Sequence, residues 1–399
     1  MASTGAEPLH HVRWPHRRLL WLVAGLVVAA GIVVGVDRLF FSGGGEASRP
    51  DLQRTLDALV SGAQRSAPGA SASVVGQNGS WAGAAGVANV KTAEAMTVDA
   101  RLRIESNSKI WLLAVMLQLA KEGKLSLDDS VARWLPGLLP DGNQITLGQL
   151  MSDRSGLVDD FDGMFSSASA FQRALANVKD AKLRARWIAL ATRLQKNPAT
   201  RIDPIWVIRL AAWQPLLFVP GSRYHHSNPG WKISGLIAAK AGGKPLAALY
   251  RERISEPLGL IHTAYQPQGP INGPHVRSYS IAANGNLTEH AYPFGMGADG
   301  GIVTDAADEA TFIRALVGGR LGVRQQLLDF YGARGSNGPG CPGDAFLWVG
   351  ANDGGWSYVY SDHSGKHVAV LLLNGARLTT VATDDPNVAA AARQLYCGT

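Results

Sequence analysis

Cysteine is scarce in this chain: 399 residues hold two, Cys341 and Cys397, both in the last sixth of the sequence. Neither has metal-ligand spacing around it, which excludes a thiolate zinc site. Charge is scarce as well. Only 17% of residues are charged, and 38 Lys+Arg against 31 Asp+Glu leave a formal +7 without any long basic run interleaved with aromatics. Nucleic acid needs such a run, so no nucleic-acid partner is expected and the charge reads as a mild surface property. His225, His226, His363 and His367 come without an acidic or cysteine ligand pattern, so neither a metal nor another cofactor is expected. No internal repeat stands out. Apolar residues are abundant, at 46%, and 46 Gly and 20 Pro accompany them. That suits one large or two moderate globular domains with a sizeable core.

Leu19 to Val36 is an 18-residue stretch without a charge. As a helix rising about 1.5 Å per residue it reaches roughly 27 Å, enough to cross most of a bilayer core. Arg13, Arg17 and Arg18 precede it, while Asp37 and Arg38 follow it. The positive-inside rule then keeps the N-terminus cytoplasmic and sends the body of the chain outside. The expected layout is a cytoplasmic segment over 1–18, a transmembrane anchor over 19–41, a Gly-rich linker over 42–49 and one folded domain over 50–399. This describes a single-pass membrane protein whose extracytoplasmic cysteines meet oxidising conditions. Secretion after signal cleavage is the rival reading. The stretch is long for a signal peptide, however, and the nearest small-x-small site, Gly45-Glu46-Ala47, lies far beyond it.

Within the domain, DLQRTLDALVSGAQ (51–64) has helical spacing and ends before Pro68-Gly69. SASVVG (71–76) and SWAGAAG (80–86) flank Gln77-Asn78-Gly79, and Asn-Gly accepts the positive φ of a hairpin turn. AFLWVG (345–350), WSYVYS (356–361) and KHVAVLLL (366–373) predict three more strands before a Pro-started helix over 386–396. Between these ends nearly everything reads as helix or loop. The expectation is an α+β fold: an antiparallel sheet flanked by N- and C-terminal helices, with an all-helical subdomain over roughly 110–300 inserted between the outer strands. Trp187, Trp206, Trp213 and Trp231 fall in that subdomain and read as core or cleft lining.

Ser106 and Lys109 stand at the start of IWLLAVMLQLA (110–120), a run apolar nearly all round that predicts a buried helix. Three residues apart, the two side chains share a face, so the amine reaches the hydroxyl. Unpaired backbone N–H groups and the helix dipole favour negative charge there, and an apolar setting lowers an amine's pKa toward that of a general base. The spacing alone also fits a serine N-cap beside a solvated lysine.

RIESNSKIWLLAVMLQLAKEGKLSLDDSVARWLPG (103–137) resembles the nucleophile region of the serine β-lactamase and penicillin-binding-protein family, in its class C-like, D-alanyl-D-alanine carboxypeptidase-like branch. ITLGQLMSDRSGL (145–157), FVPGSRYHHSNPGWKISGLIAAKAGGKPLAALYRERISEPLGL (218–260) and GADGGIVTDAADEATFIRALVGG (297–319) extend the likeness in order over about residues 52 to 396. The resemblance implies the β-lactamase/transpeptidase-like fold, with Ser106 as acyl-accepting nucleophile and Lys109 as its basic partner. The family's Tyr-x-Asn motif matches His226-Ser227-Asn228, so a histidine stands where the family has its proton-shuttling tyrosine. Histidine also moves protons, nearer to neutral pH.

The third motif, Lys-Thr-Gly or His-x-Gly on the strand beside the nucleophile, aligns best with Asn352-Asp353-Gly354, followed by Gly355. That places Asn352 at the substrate, and an amide near Gly354 or Gly355 in the oxyanion hole with Ser106. The motif's cation is missing, which weakens recognition of a substrate carboxylate. His363-Ser364-Gly365 matches by letter only, since it falls in the expected turn between the last two strands. Glu105 stands where relatives carry a small residue, and Asp159 to Trp213 lies where the family places the roof of its cleft. The expected protein is a monomeric serine hydrolase of small esters, amides or D-amino-acid peptides. The alternative is an impaired member that binds cell-envelope peptides. Cys341 and Cys397 are expected to pair.

Overall fold

Alternating apolar residues at the two ends of the chain meet in one sheet. The structure, a computed structural model, describes residues 48–62, 65–76, 79–197, 200–269, 271, 275–290, 296–331, 345–352, 354–377 and 385–398. In chain order the first strands are β1 Gly69–Gly76, β2 Gly79–Asn89, β3 Glu94–Ala95, β4 Leu102–Arg103, β5 Ala264–Tyr265 and β6 Tyr279–Ile281. They are followed by β7 Leu287–Glu289, β8 Ile302–Thr304, β9 Ala345–Asn352, β10 Gly355–Asp362, β11 Val368–Leu373 and β12 Gly375–Arg377. The main sheet is antiparallel in the order β3-β2-β1-β11-β10-β9. Its two halves join where Ala70 lies opposite Leu373 and Val75 opposite Val368.

Side chains alternate across a strand, so β11 sends Val368, Val370 and Leu372 to one face and Ala369, Leu371 and Leu373 to the other. Both faces are buried. The helices Pro50–Val60 and Pro386–Cys397 cover one side, packing Leu52, Leu56, Val388 and Leu395 on Leu371 and Leu373. The other side meets the helices Ser108–Lys121 and Ala306–Val317, where Trp111 stacks on Phe312 at 4.0 Å. Each fully buried large side chain contributes about 1.5–3 kcal/mol. Double coverage is why β11 is continuously apolar.

The helical middle departs from expectation in two respects. Two small three-stranded sheets, β4-β8-β5 and β12-β6-β7, run through or beside it. Their strands of two or three residues are too short to leave a period-2 pattern. The apolar spacing that runs through 171–195 is split between two helices, Ala168–Asn177 and Ala181–Lys196. Asp180 accounts for the restart, since its side chain accepts from the backbone of Lys182 and Leu183 as an N-cap. This roof segment has its own core, with Met164, Leu175, Trp187, Val207 and Leu210 buried together.

Of the predicted tryptophans, Trp187 and Trp231 are buried, and Trp206 lies between the Arg186 and Arg209 guanidinium groups at 4.9 and 5.0 Å. Residues 46–399 form one compact unit. The expected anchor over 19–41 lies outside the described residues. Among those described, no helix is long and apolar enough to cross a membrane. Cys397 is disulfide-bonded, and Cys341 lies outside the described residues.

The edge strand β9 runs beside the turn before the Ser108–Lys121 helix, and Gly350 makes the closest approach. A Cβ there would meet the Ile104 carbonyl oxygen and lie 2.9 Å from the Asn107 nitrogen. Gly350→Ala is therefore expected to cost about 1–3 kcal/mol or more by overpacking, because the obstacle is backbone. Denaturant unfolding beside the wild type checks it; equal stability would mean that the strand and turn are not in contact.

Candidate active site

The chain reaches Ser106 through a tight turn anchored on both sides. Residues Glu105–Asn107 form a single 3₁₀ turn before the buried helix Ser108–Lys121. Asn107 Nδ2 donates to Ser357 Oγ at 2.9 Å, and that hydroxyl donates to the Ile104 carbonyl at 2.7 Å, tying the turn to β10. The Ile302 amide of β8 donates to Ser108 Oγ at 3.0 Å on the other side. Asn107 is the N-cap and makes no side-chain capping bond. Ser106 is therefore not spent as a cap, and its hydroxyl is half-buried at the helix N-terminus.

Lys109 lies 2.6 Å from Ser106 Oγ, 2.9 Å from Asn228 Oδ1 and 3.4 Å from the Asp299 carbonyl oxygen. Asn228 Oδ1 and the Asp299 carbonyl only accept, whereas the hydroxyl can donate. A neutral amine fits this set: its two N–H groups serve the two carbonyl oxygens, and its lone pair faces the serine proton. Burial pushes the Lys109 amine below its usual pKa, partly opposed by Asp299, Asp153 and Asp159.

A layer of carboxylates lies beneath. Asn228, at the start of the helix Asn228–Gly242, receives Asp159 Oδ1 on its backbone N–H at 2.8 Å and gives Nδ2 to Asp160 Oδ1 at 2.9 Å. Lys232, one turn on, spans Asp160 Oδ2 at 2.7 Å and Asp299 Oδ2 at 2.6 Å with its side chain 1% exposed. Burial works against the Lys232 charge, but the two carboxylates more than offset it and hold the ammonium above its usual pKa. Asp153, with φ +54, accepts from the Ser227 amide and from Trp231 Nε1 at 3.2 and 3.0 Å. Burial raises its carboxyl.

His226 joins the site from the side. Its Nδ1 is 3.5 Å from Asp159 Oδ1, its side chain is 38% exposed, and among the described residues it makes no hydrogen bond to Ser106. Tyr224 is exposed.

The expected third-motif residues lie where β9 gives way to β10. Asn352, Gly354 and Gly355 belong to the β9–β10 turn, not to the strand edge beside Ser106. Asn352 pairs with Gly355, and its Oδ1 accepts from the Gly354 amide at 2.7 Å. A Cβ on Gly354 would meet His290, and one on Gly355 would meet the Leu373 carbonyl. A glycine that packs against the nucleophile turn is Gly350, in Trp348-Val349-Gly350. Trp348 Nε1 donates to the Tyr331 hydroxyl at 3.0 Å. Hydrogen-bonded and non-bonded pairs alternate along an antiparallel ladder. A hairpin closed by Asn352 and Gly355 as a bonded pair would turn the Ala351 amide away from β10 toward the open edge.

His262, Asp305 and Asp308 also cluster within 4.8 Å. Asp305 caps the helix that follows it, and Asp308 accepts from the His262 amide and from Thr263, so these groups are engaged in structural bonds. His363 stacks on Phe346, and His367 Nε2 lies 2.7 Å from the Tyr396 carbonyl.

Residues 52–393 match the family described as Beta-lactamase. The chain is 29% identical to the esterase EstB of Burkholderia gladioli over 183 residues, covering 44% of this chain and 41% of the esterase. It is 24% identical to the D-alanyl-D-alanine-carboxypeptidase/endopeptidase AmpH of Escherichia coli over 179 residues, covering 43% and 38%. The chain thus spans about half the length, or less, of the curated relatives it matches. Among solved structures, a D-stereospecific amidohydrolase from Streptomyces sp. superposes with a TM-score of 0.68 at 24% identity, over 88% of this chain and all of that one. The D-amino acid amidase of Ochrobactrum anthropi SV3 superposes with 0.66 at 21% identity, over 86% and 96%.

Glu105 is 5% exposed at φ +51, and its Oε2 has no hydrogen-bond partner among the described residues. Burial raises its carboxyl to about 8. The protonated acid is therefore the form that suits the fold. Its stabilising contribution is complete below the unfolded value of about 4.3 and is lost as pH rises through about 8. The melting temperature is expected to fall between pH 5 and pH 9, and Glu105→Gln to flatten part of that fall. An unchanged slope in the variant would place the Glu105 carboxyl in water.

Proposed function

The chain belongs to the beta-lactamase family, and from that premise we propose that it is a serine hydrolase acting through an acyl-enzyme on Ser106, with substrates whose departing end carries no carboxylate. The observation that carries this reading is the hydrogen-bonded set Ser106, Lys109 and Asn228; we read Trp348, two residues before the Gly350 that packs on the nucleophile turn, as occupying the place of the third-motif cation. Neutral Lys109 takes the Ser106 proton as Oγ attacks the carbonyl carbon. The amides of Ser106 and Ala351 stabilise the oxyanion. As the tetrahedral intermediate collapses, the proton passes from Lys109 to the leaving group, with His226 as a second donor at the mouth of the cleft. Water then attacks the acyl-enzyme with the same base, which returns Ser106 and releases the acid.

A cation beside the scissile bond would favour a substrate carboxylate; an indole donates one N–H, here already given to Tyr331. Esters, amides and amino-acid amides fit better than peptides ending in a free carboxylate. The named activities of the esterase and amidase relatives support that direction. The uncharged run over 19–36 and the arginines before it support an anchored domain facing outward, where such substrates reach it. The missing cation also favours a second reading, a cell-envelope peptide binder without turnover.

The test compares kcat/KM for a small aryl ester, D-alanine amide and D-alanyl-D-alanine. The expected order is ester, then amide, then dipeptide, with the dipeptide at least about tenfold below the amide, corresponding to about 1.4 kcal/mol. Ser106→Ala is expected to abolish all three. Dipeptide turnover equal to that of the amide would contradict the assigned role of Trp348, and no turnover of any substrate would favour the binder.

A further inference from the structure

We propose that Lys232 is a positioning residue for the nucleophile, clamping Asp160 and Asp299 so that Asn228 presents its oxygen to Lys109 and the carboxylates facing Lys109 are partly neutralised. This rests on the reading of Ser106 and Lys109 just given.

Lys232 lies four residues after Asn228 on the same face of one helix. Asp160 is held through both oxygens, one accepting from Asn228 Nδ2 and the other from Lys232 Nζ. With Nδ2 committed to Asp160, Asn228 can turn only Oδ1 toward Lys109. An inverted amide would set N–H against N–H. Lys232 also holds Asp299, whose backbone carbonyl accepts from Lys109 at 3.4 Å. One cation thus orients two of the three groups around the Lys109 amine.

The charges facing Lys109 come from several elements. They are Asp153 beyond the helix Leu147–Met151, Asp159 and then Asp160 at the start of the helical turn Asp160–Met164, and Asp299 before β8, with the protonated Glu105 on its own turn. Lys232 is the cation among them, with His226 at Asp159. Without Lys232, the surplus of negative charge would favour the charged form of Lys109, which cannot accept the serine proton.

The test uses the full-length protein with ¹⁵N-labelled lysine side chains, following the Lys109 signal through a pH titration and assigning it with Lys109→Arg. Lys232→Met is expected to raise the Lys109 midpoint by about one pH unit, a tenfold change in proton affinity. The acid limb of kcat/KM for an ester is expected to move with it. Asp160→Asn, which removes one carboxylate and keeps an oxygen for Asn228, is expected to lower the midpoint, and the double variant to return it near the wild type. Asp160→Asn also serves where Lys232→Met alone does not fold. Midpoints of the folded single variants within about 0.3 unit of the wild type would overturn the proposal. A wild type without turnover whose midpoints still shift would defeat the hydrolase reading and leave the clamp standing.

Discussion

The contact between the Lys109 amine and the Ser106 hydroxyl is the constraint on which the rest of the site depends. A lysine 8% exposed has lost most of its water, so its charged form is costly and burial moves its pKa below the usual value. The fold supplies what the amine needs in place of water: the Asn228 oxygen, the Asp299 carbonyl and the serine hydroxyl. The all-apolar helix behind it, with Trp111 and Leu112 fully buried, prevents the side chain from leaving by any other route.

The carboxylates below impose an opposing demand. Taking Asp160, Asp299 and Lys232 out of water costs more than a well-packed apolar cluster of the same volume would, so the network is poor evidence for stability. Its value is orientation. Both oxygens of Asp160 and of Asp299 have assigned donors: Asn228 and Lys232 on Asp160, Lys232 and the Gly297 amide on Asp299. The sheet makes a similar commitment at Gly350, where the absence of a side chain lets β9 approach the turn closely enough to offer its edge amides.

Much of this was legible in the sequence, and the reason differs from part to part. Ser106, Lys109 and Asn228 are visible because motif spacing on helices translates directly into a shared face, and the structure brings all three together. The outer strands are visible through their period of two. The third motif is the hardest part to place, because the glycine cluster at 350–355 offers several registers, and the closure of the β9–β10 hairpin by Asn352 and Gly355 is not visible in the sequence. The charge network was missed because Asp153, Asp160, Asp299 and Lys232 come from separate segments, and no local pattern reports their meeting. Two signals were there to find: the paired Asp159-Asp160 after Ser155-Gly156-Leu157, and a lysine interrupting the apolar helix four residues after Asn228.

The most direct measurement of the central claim is covalent. The protein is incubated with a fluorophosphonate, digested and mapped by mass spectrometry, beside Ser106→Ala and Lys109→Met. An activated serine predicts one modified peptide, carrying the phosphonyl group on Ser106, absent from the alanine variant and strongly slowed in the methionine variant. Labelling of Ser106 at an unchanged rate without the lysine amine would contradict the role assigned to Lys109, and no labelling of the folded wild type would contradict the activated nucleophile itself.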